Sequence, residues 1–236
     1  MQSTLTPEQC DAIRAKLCTM TLPKGLGDEH NACSIAAINL ALTGKLTDKI
    51  PECMSLAIGR WIIKTQDSMP AEIRNSGRWR SLLPLAAGTG RAHEKERAAV
   101  ALDWMWGTVL PQYQPTADKR GFGAEWLAMT TERTRAAAQT ARRAAYAYAA
   151  YAAAAADAAD AAADADADAA ADAAYAYDAY AAADAAAAAD AAAAAYAAYA
   201  YAAYAAADAA ARVAFWTAVD PCACLARMIE AGEVTP

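Results

Sequence analysis

Through the first 130 positions, apolar residues recur at spacings of three and four. From there to Ala211 alanine and tyrosine are the only apolar residues. Thr6-Pro7-Glu8-Gln9 forms a capping box with proline at the first helical position, so a helix starts there with Ile13 and Leu17 on its inner face. Pro23, Gly25 and Gly27 predict a loop, and Cys33 to Leu42 a compact helix carrying Ile35, Ile38, Leu40 and Leu42. After a turn at Thr43-Gly44, the pattern predicts a helix through Pro51 to Gln66. Its Met54, Ile58, Trp61 and Ile62 fall at i, i+4, i+7 and i+8. Pro70 opens a short helix that Ser76-Gly77 breaks.

Gly88-Thr89-Gly90-Arg91 leads into a predicted helix from about Ala92 to Leu110. Trp104, Met105, Trp106, Val109 and Leu110 nearly surround it, which makes it central to the N-terminal part. Asp103 on that helix would need a partner if buried, and an arginine of the head is the expected one. Pro111 to Gly123 reads as a loop. Helix resumes near Ala124, with Trp126, Leu127 and Met129, and is expected to pass Arg133 and Arg143 without a break. Near the C-terminus, Asp220-Pro221 caps a last helix with Leu225, Met228 and Ile229 on one face, expected to dock on the N-terminal part.

Residues 144–211 are written in three letters: 48 Ala, ten Asp and ten Tyr. Alanine loses no side-chain entropy in a helix, and neither Gly nor Pro occurs between Gly123 and Pro221. A helical arm is therefore expected, roughly 100 Å long if straight. A bare alanine face of that length would associate with something. Small side chains let helix axes approach closely, so the arm is expected to fold back, or to lie along the N-terminal part or a second copy. Tyr-Ala-Tyr-x-Ala-Tyr starts at Tyr146, Tyr175 and Tyr199, offsets of 29 and 24 residues that suit helical segments of that length. Asp160, Asp164, Asp168 and Asp172 step by four and share a face. The stripe either keeps a low-complexity tract soluble or docks on a basic surface. In composition the tract resembles alanine-rich antifreeze helices, but it lacks their periodic threonine: none occurs between Thr140 and Thr217.

Charge divides the chain. The whole carries −6 and the tract −10, with −1 beyond it, which leaves +5 on residues 1–143. A basic head and an acidic arm can pair within a chain or between copies. Aspartate every four to six residues makes a membrane span of the tract costly. With no leader sequence evident, a soluble cytoplasmic protein with free thiols is expected.

Candidate chemistry is sparse. Arg74, Arg78 and Arg80 flank Trp79, a basic and aromatic cluster suited to phosphate, nucleic acid or an acidic helix. The alternative is a core tryptophan among solvated arginines. Cys33 at a helix start invites a thiolate reading of the papain-like kind, which needs a base; the only histidines are His30 and His93. Cys222 and Cys224, with His30 and Cys33, lack a finger's spacing, and Cys-x-Cys on a helix points its thiols about 200° apart. The Gly88–Arg91 loop matches neither phosphate-binding fingerprint. No catalytic, metal or cofactor residues are assigned.

CSIAAINLALTGKLTDKIPECM (33–54), IGRWIIKTQDSMPAEIRNS (58–76), LLPLAAGTGR (82–91) and WMWGTVLP (104–111), followed by an alanine-rich helix, resemble uncharacterised proteins carried by phages and prophages. The resemblance covers roughly Cys33 to Trp126 and implies no activity. In composition alone, the arm also resembles alanine-rich helical bacterial immunity proteins.

The expectation is an all-α protein: a basic helical head (1–123), an Ala/Asp/Tyr-rich helical arm, hairpin or bundle (124–219), and a capping helix with a tail (220–236). The expected function is non-catalytic. The protein would bind a macromolecule or assemble with itself, as a phage accessory protein acting on a host protein. Its contact residues would be Arg74, Arg78, Trp79, Arg80, the tyrosine clusters and the Asp160–Asp172 stripe. Two alternatives remain: a nucleic-acid-binding head restrained by the acidic arm, and a thiol enzyme using Cys33.

Overall fold

The computed structural model describes residues 5–134, 136–145 and 209–232. Among these residues the regular structure is helical. The remainder is turn and loop, with two isolated bridges, Thr21 to Asn31 and Gly27 to Ala32. The chain falls into two compact units, Met1–Ala101 with Trp216–Pro236, and Leu102–Phe215.

The first unit opens with α1 (Pro7–Thr19), held by the predicted capping box: Gln9 N–H donates to the Thr6 hydroxyl and Thr6 N–H to the Gln9 side chain. Ile13 and Leu17 are buried. α2 (Ser34–Thr43) starts one residue later than its apolar pattern, because Cys33 is its N-cap, and Gly44 ends it in the left-handed conformation. α3 (Leu56–Ser68) starts five residues after Pro51. A turn in which Met54 N–H donates to the Pro51 carbonyl comes first, and the Ser55 hydroxyl then caps Ile58 N–H. Its periodic residues behave as their spacing requires: Ile58, Trp61 and Ile62 are all buried. α4 (Ala71–Arg74) is one short turn, and α5 (Gly77–Ala87) starts on a Ser76 cap. α6 (Glu94–Trp104) follows the Gly-Thr-Gly loop.

The predicted helix to Leu110 instead changes form at Met105. Residues Met105–Val109 make a π turn and Leu110–Tyr113 a 3₁₀ turn. Three consecutive bulky residues, Trp104, Met105 and Trp106, are buried, while Asp103 and Gly107 stay on the open side. Pro111 has no N–H to continue the ladder, and the chain tightens there.

The second unit contains α7 (Gln114–Lys119), where a loop was expected, and α8 (Gly123–Glu132). Pro111 and Pro115 sit at helix starts, where proline's fixed φ is favourable, instead of marking a loop. Trp126 anchors this unit. It is fully buried, donates its indole N–H to the Leu110 carbonyl at 3.0 Å, and lies 5.0 Å from Tyr113 and 6.2 Å from Phe122, ring to ring.

The helix expected to run unbroken past Arg133 stops there. Arg133 adopts a left-handed backbone (φ 53°) and donates to Asp103 at 3.2 Å; the aspartate is exposed, and its partner is an arginine beyond the head's expected boundary at 123. Thr134 then caps a new helix, α9 (136–145), by accepting from Ala137 N–H. Along α9, Ala138, Ala141 and Ala145 are fully buried, spaced three and four apart like the seam of a packed helix pair.

α10 (Ala209–Val219) and α11 (Pro221–Glu230) close the chain. α11 packs on α5 and α3 and buries Cys222, Cys224, Leu225 and Met228. The C-terminal apolar face therefore docks on the N-terminal unit, as its pattern predicts.

Candidate functional site

Four of the predicted contact residues lie on or beside α5, and the structure gives them different tasks. Trp79 is fully buried. Its indole N–H donates to the Ser34 hydroxyl at 3.0 Å, and its ring lies 6.0 Å from that of Trp61. Arg74 is also buried, and its guanidinium reaches backbone carbonyls: Nε to Leu22 at 2.6 Å, Nη1 to Met69 at 2.7 Å and to Gln66 at 3.3 Å. Arg80 donates to the carbonyls of Leu17 and Asn75 and to the Asn75 side chain. These arginines fasten the Leu17–Pro23 segment to the α4–α5 corner, using donors that a ligand would otherwise need.

Arg78 alone of the four combines a charge with an exposed side chain. It holds Asp220 through both carboxylate oxygens at 2.8 Å, with side-chain exposures of 60% and 37%. Pairing with the carboxylate pushes the Arg78 guanidinium above its ordinary value. Asp220 does double service, because its Oδ1 also accepts from Ala223 N–H as the N-cap of α11. Replacing Arg78 with Ala should lower stability by less than about 1 kcal/mol, since the pair is solvent-screened. Asp220→Ala should lower it by about 1–2 kcal/mol, since the cap is lost as well. Urea unfolding of the two variants checks that order.

Cys33 is buried at the start of α2, where its Sγ accepts from Ala36 N–H at 3.4 Å. Burial pushes its thiol up, against a smaller lowering from the helix N–H groups, so it is a neutral thiol at pH 7. It lies at the edge of a pocket of about 40 Å³ lined by Gly25, Leu26, Asp48, Ile63, Gln66 and Asp67. That is room for little more than water. Gln66, fully buried, accepts from Ser34 N–H at 2.6 Å and donates to the Pro23 carbonyl, while Asp67 accepts from Gly25 N–H. Burial raises the Cys222 thiol too. An alkylating agent applied to the folded protein at pH 7 should modify exposed Cys18 first and leave Cys33, Cys222 and Cys224 unmodified until the chain unfolds. Peptide mass mapping reads the order.

The Gly88–Arg91 loop serves the protein's own charges. Fully buried Arg97 donates to the carbonyls of Thr89 at 3.1 Å, Gly90 at 3.3 Å and Ala92 at 2.6 Å. The loop thus presents carbonyls to a cation where an anion site would present N–H groups. The anion at a helix start is Glu94. It accepts from Ser55 Oγ and Ala57 N–H at 2.8 Å and from Leu56 N–H at 2.9 Å, at the N-terminus of α3. Glu94→Ala should cost about 2 kcal/mol, because it leaves three donors at the α3 start without their carboxylate. Thermal unfolding of the variant measures it.

Tyr146, Tyr175, Tyr199, Asp160, Asp164, Asp168 and Asp172 lie outside the described residues. Among the described residues, no three His, Cys, Asp or Glu side chains converge as metal ligands, and no helix is long and apolar enough to cross a membrane. No protein family, curated protein or solved structure matches the chain. Sequence reasoning missed the Arg78–Asp220 pair. Asp220 was visible as a helix cap and Arg78 as one of the arginines beside Trp79, but nothing local brings positions 142 apart together.

Proposed function

We propose that this is a non-catalytic helical protein that works by association, either with itself or with another macromolecule, through its alanine-rich surface. The carrying observation is the tract itself, 48 Ala in residues 144–211, and at its start Ala138, Ala141 and Ala145 are already buried within the chain. Methyl side chains contribute little burial each, on the order of one CH₂ or roughly 0.8 kcal/mol. They do permit a close helix approach that bulkier residues prevent. A tract that repeats this residue type for 68 positions offers shape complementarity on a large scale and almost no chemistry.

The head supports the same reading. Its candidate reactive groups are engaged internally: Cys33 as a buried neutral cap, Glu94 on a helix start, Arg74, Arg80 and Arg97 on carbonyls. The basic cluster and the thiol therefore lend less support to a nucleic-acid or thiol-enzyme role than their sequence suggests. On the resemblance in sequence, the setting is a phage-borne accessory protein in the cytoplasm of a bacterial host, with a host protein as its target. Light scattering across a wide range of concentration tests the self-associating form, and a pull-down from bacterial lysate tests the other. A constant single-chain mass together with an empty pull-down overturns the proposal.

A further inference from the structure

Two cysteines outside the pocket and the α5 cluster lie at one end of the first unit. The inward face of α1 is the stripe Cys10, Ile13, Leu17 and Met20, at i, i+3, i+7 and i+10. Cys10 is half-buried where the stripe begins, while Glu8, Gln9, Asp11 and Ala12 around it are exposed. α1 packs on α5, and the carbonyl of Leu17, late in α1, accepts from Arg80, early in α5. Seven residues back from Leu17 and seven on from Arg80 lead to Cys10 and Ala87, the same rise of roughly 10 Å along each helix. Just past Ala87, Gly90 N–H donates to the Cys53 carbonyl at 2.7 Å, and Thr89 accepts from Ser55 N–H at 3.0 Å. Half-buried Cys53 thus sits at the end of α5 toward which the start of α1 points. The two sulfurs are close enough to interact. Burial first pushes the Cys53 thiol up, its own backbone N–H and the Arg91 guanidinium draw it down, and negative charge on Cys10 raises it again.

We propose that Cys10 and Cys53 are a redox-responsive pair, which closes to a disulfide when a small-molecule disulfide such as oxidised glutathione is in excess. Both are thiols in this structure, and their partial exposure lets the oxidant reach them, whereas Cys33, Cys222 and Cys224 are buried. The thiolate of one cysteine attacks the glutathione disulfide and displaces one glutathione thiolate. The other cysteine then attacks that mixed disulfide and displaces the second. Two electrons pass from the cysteines to the glutathione disulfide, and the two thiol protons end on the two glutathione molecules released. The bond joins positions 43 apart and fastens the start of α1 to the corner ahead of α3. Closing a loop of that length restricts the unfolded chain, so the oxidised protein resists unfolding more than the reduced one.

The test equilibrates the full chain with oxidised or with reduced glutathione, blocks remaining thiols with N-ethylmaleimide, and maps the unreduced peptides by mass. The oxidised sample should yield the Cys10 and Cys53 peptides joined to each other within one chain, and dithiothreitol should separate them. Its thermal midpoint should stand about 10 °C above that of the reduced sample. Cys10→Ser and Cys53→Ser should each abolish both the link and the rise, and their reduced forms should unfold close to the reduced parent. The joined peptides in the unsubstituted chain decide the matter even where a variant fails to fold. Recovery of Cys10 and Cys53 as thiols or as separate glutathione adducts overturns the proposal. A link that leaves the midpoint unchanged, or lowers it, also overturns it, because the bond then does not fit the folded head.

Discussion

Trp79→Ala should destabilise the protein by about 3–5 kcal/mol. The ring is fully buried beside Trp61, and its indole N–H satisfies Ser34, the first residue of α2. Removing it leaves a large cavity between helices and an orphaned hydroxyl together. Trp79→Phe separates the two contributions. It keeps most of the volume, loses the hydrogen bond, and should cost about 1–3 kcal/mol. Denaturant unfolding of both variants reads the difference. If Trp79 served a ligand in place of the core, the alanine variant would unfold like the unsubstituted protein. The experiment thus decides between the two sequence readings of the Arg-Trp-Arg cluster.

Gly27→Ala should have an effect of similar size, about 2–5 kcal/mol, for a different reason. Gly27 sits at φ +80°, and a Cβ there would lie 2.0 Å from the Asn31 carbonyl oxygen. That oxygen belongs to the tight loop just before α2. Asp28 N–H donates to it at 2.6 Å, and the Asp28 carboxylate in turn accepts from His30 and Asn31 N–H at 2.8 Å. The clash is with backbone, so no rotamer relieves it. Gly25 provides the control, since it also has positive φ (+67°) but open space where a Cβ would be. Gly25→Ala should cost only the left-handed strain, about 1–2 kcal/mol. Comparing thermal midpoints of the two variants isolates the steric contribution. Equal losses would contradict it.

Local signals in the sequence carried most of the head's helices. Thr6 and Asp220 start helices and the glycine after Thr43 ends one as their chemistry dictates, and Ile58, Trp61 and Leu225 are buried as their spacing requires. What was not legible depends on partners distant in the chain. In sequence Arg74 looks the same whether its donors face solvent or the carbonyls of Leu22 and Met69, 52 and five residues away. The stop at Arg133 uses a left-handed arginine where glycine would be expected, and its guanidinium finds Asp103 thirty residues earlier. The π turn at Met105, which the helical spacing does not signal, begins within a run of three buried bulky side chains. Of the candidate contact residues, Arg74, Trp79 and Arg80 are engaged inside the fold, and Arg78 is exposed and paired with Asp220. The tyrosine clusters and the aspartate stripe belong to residues 146–208, outside the described structure.

Solution mass is the most direct test of the proposed association. Light scattering of the full chain, at rising concentration and moderate salt, should give a mass that climbs from 24.6 kDa toward at least twice that value. A mass that stays at one chain at every concentration, in a protein that also captures nothing from bacterial lysate, would contradict it.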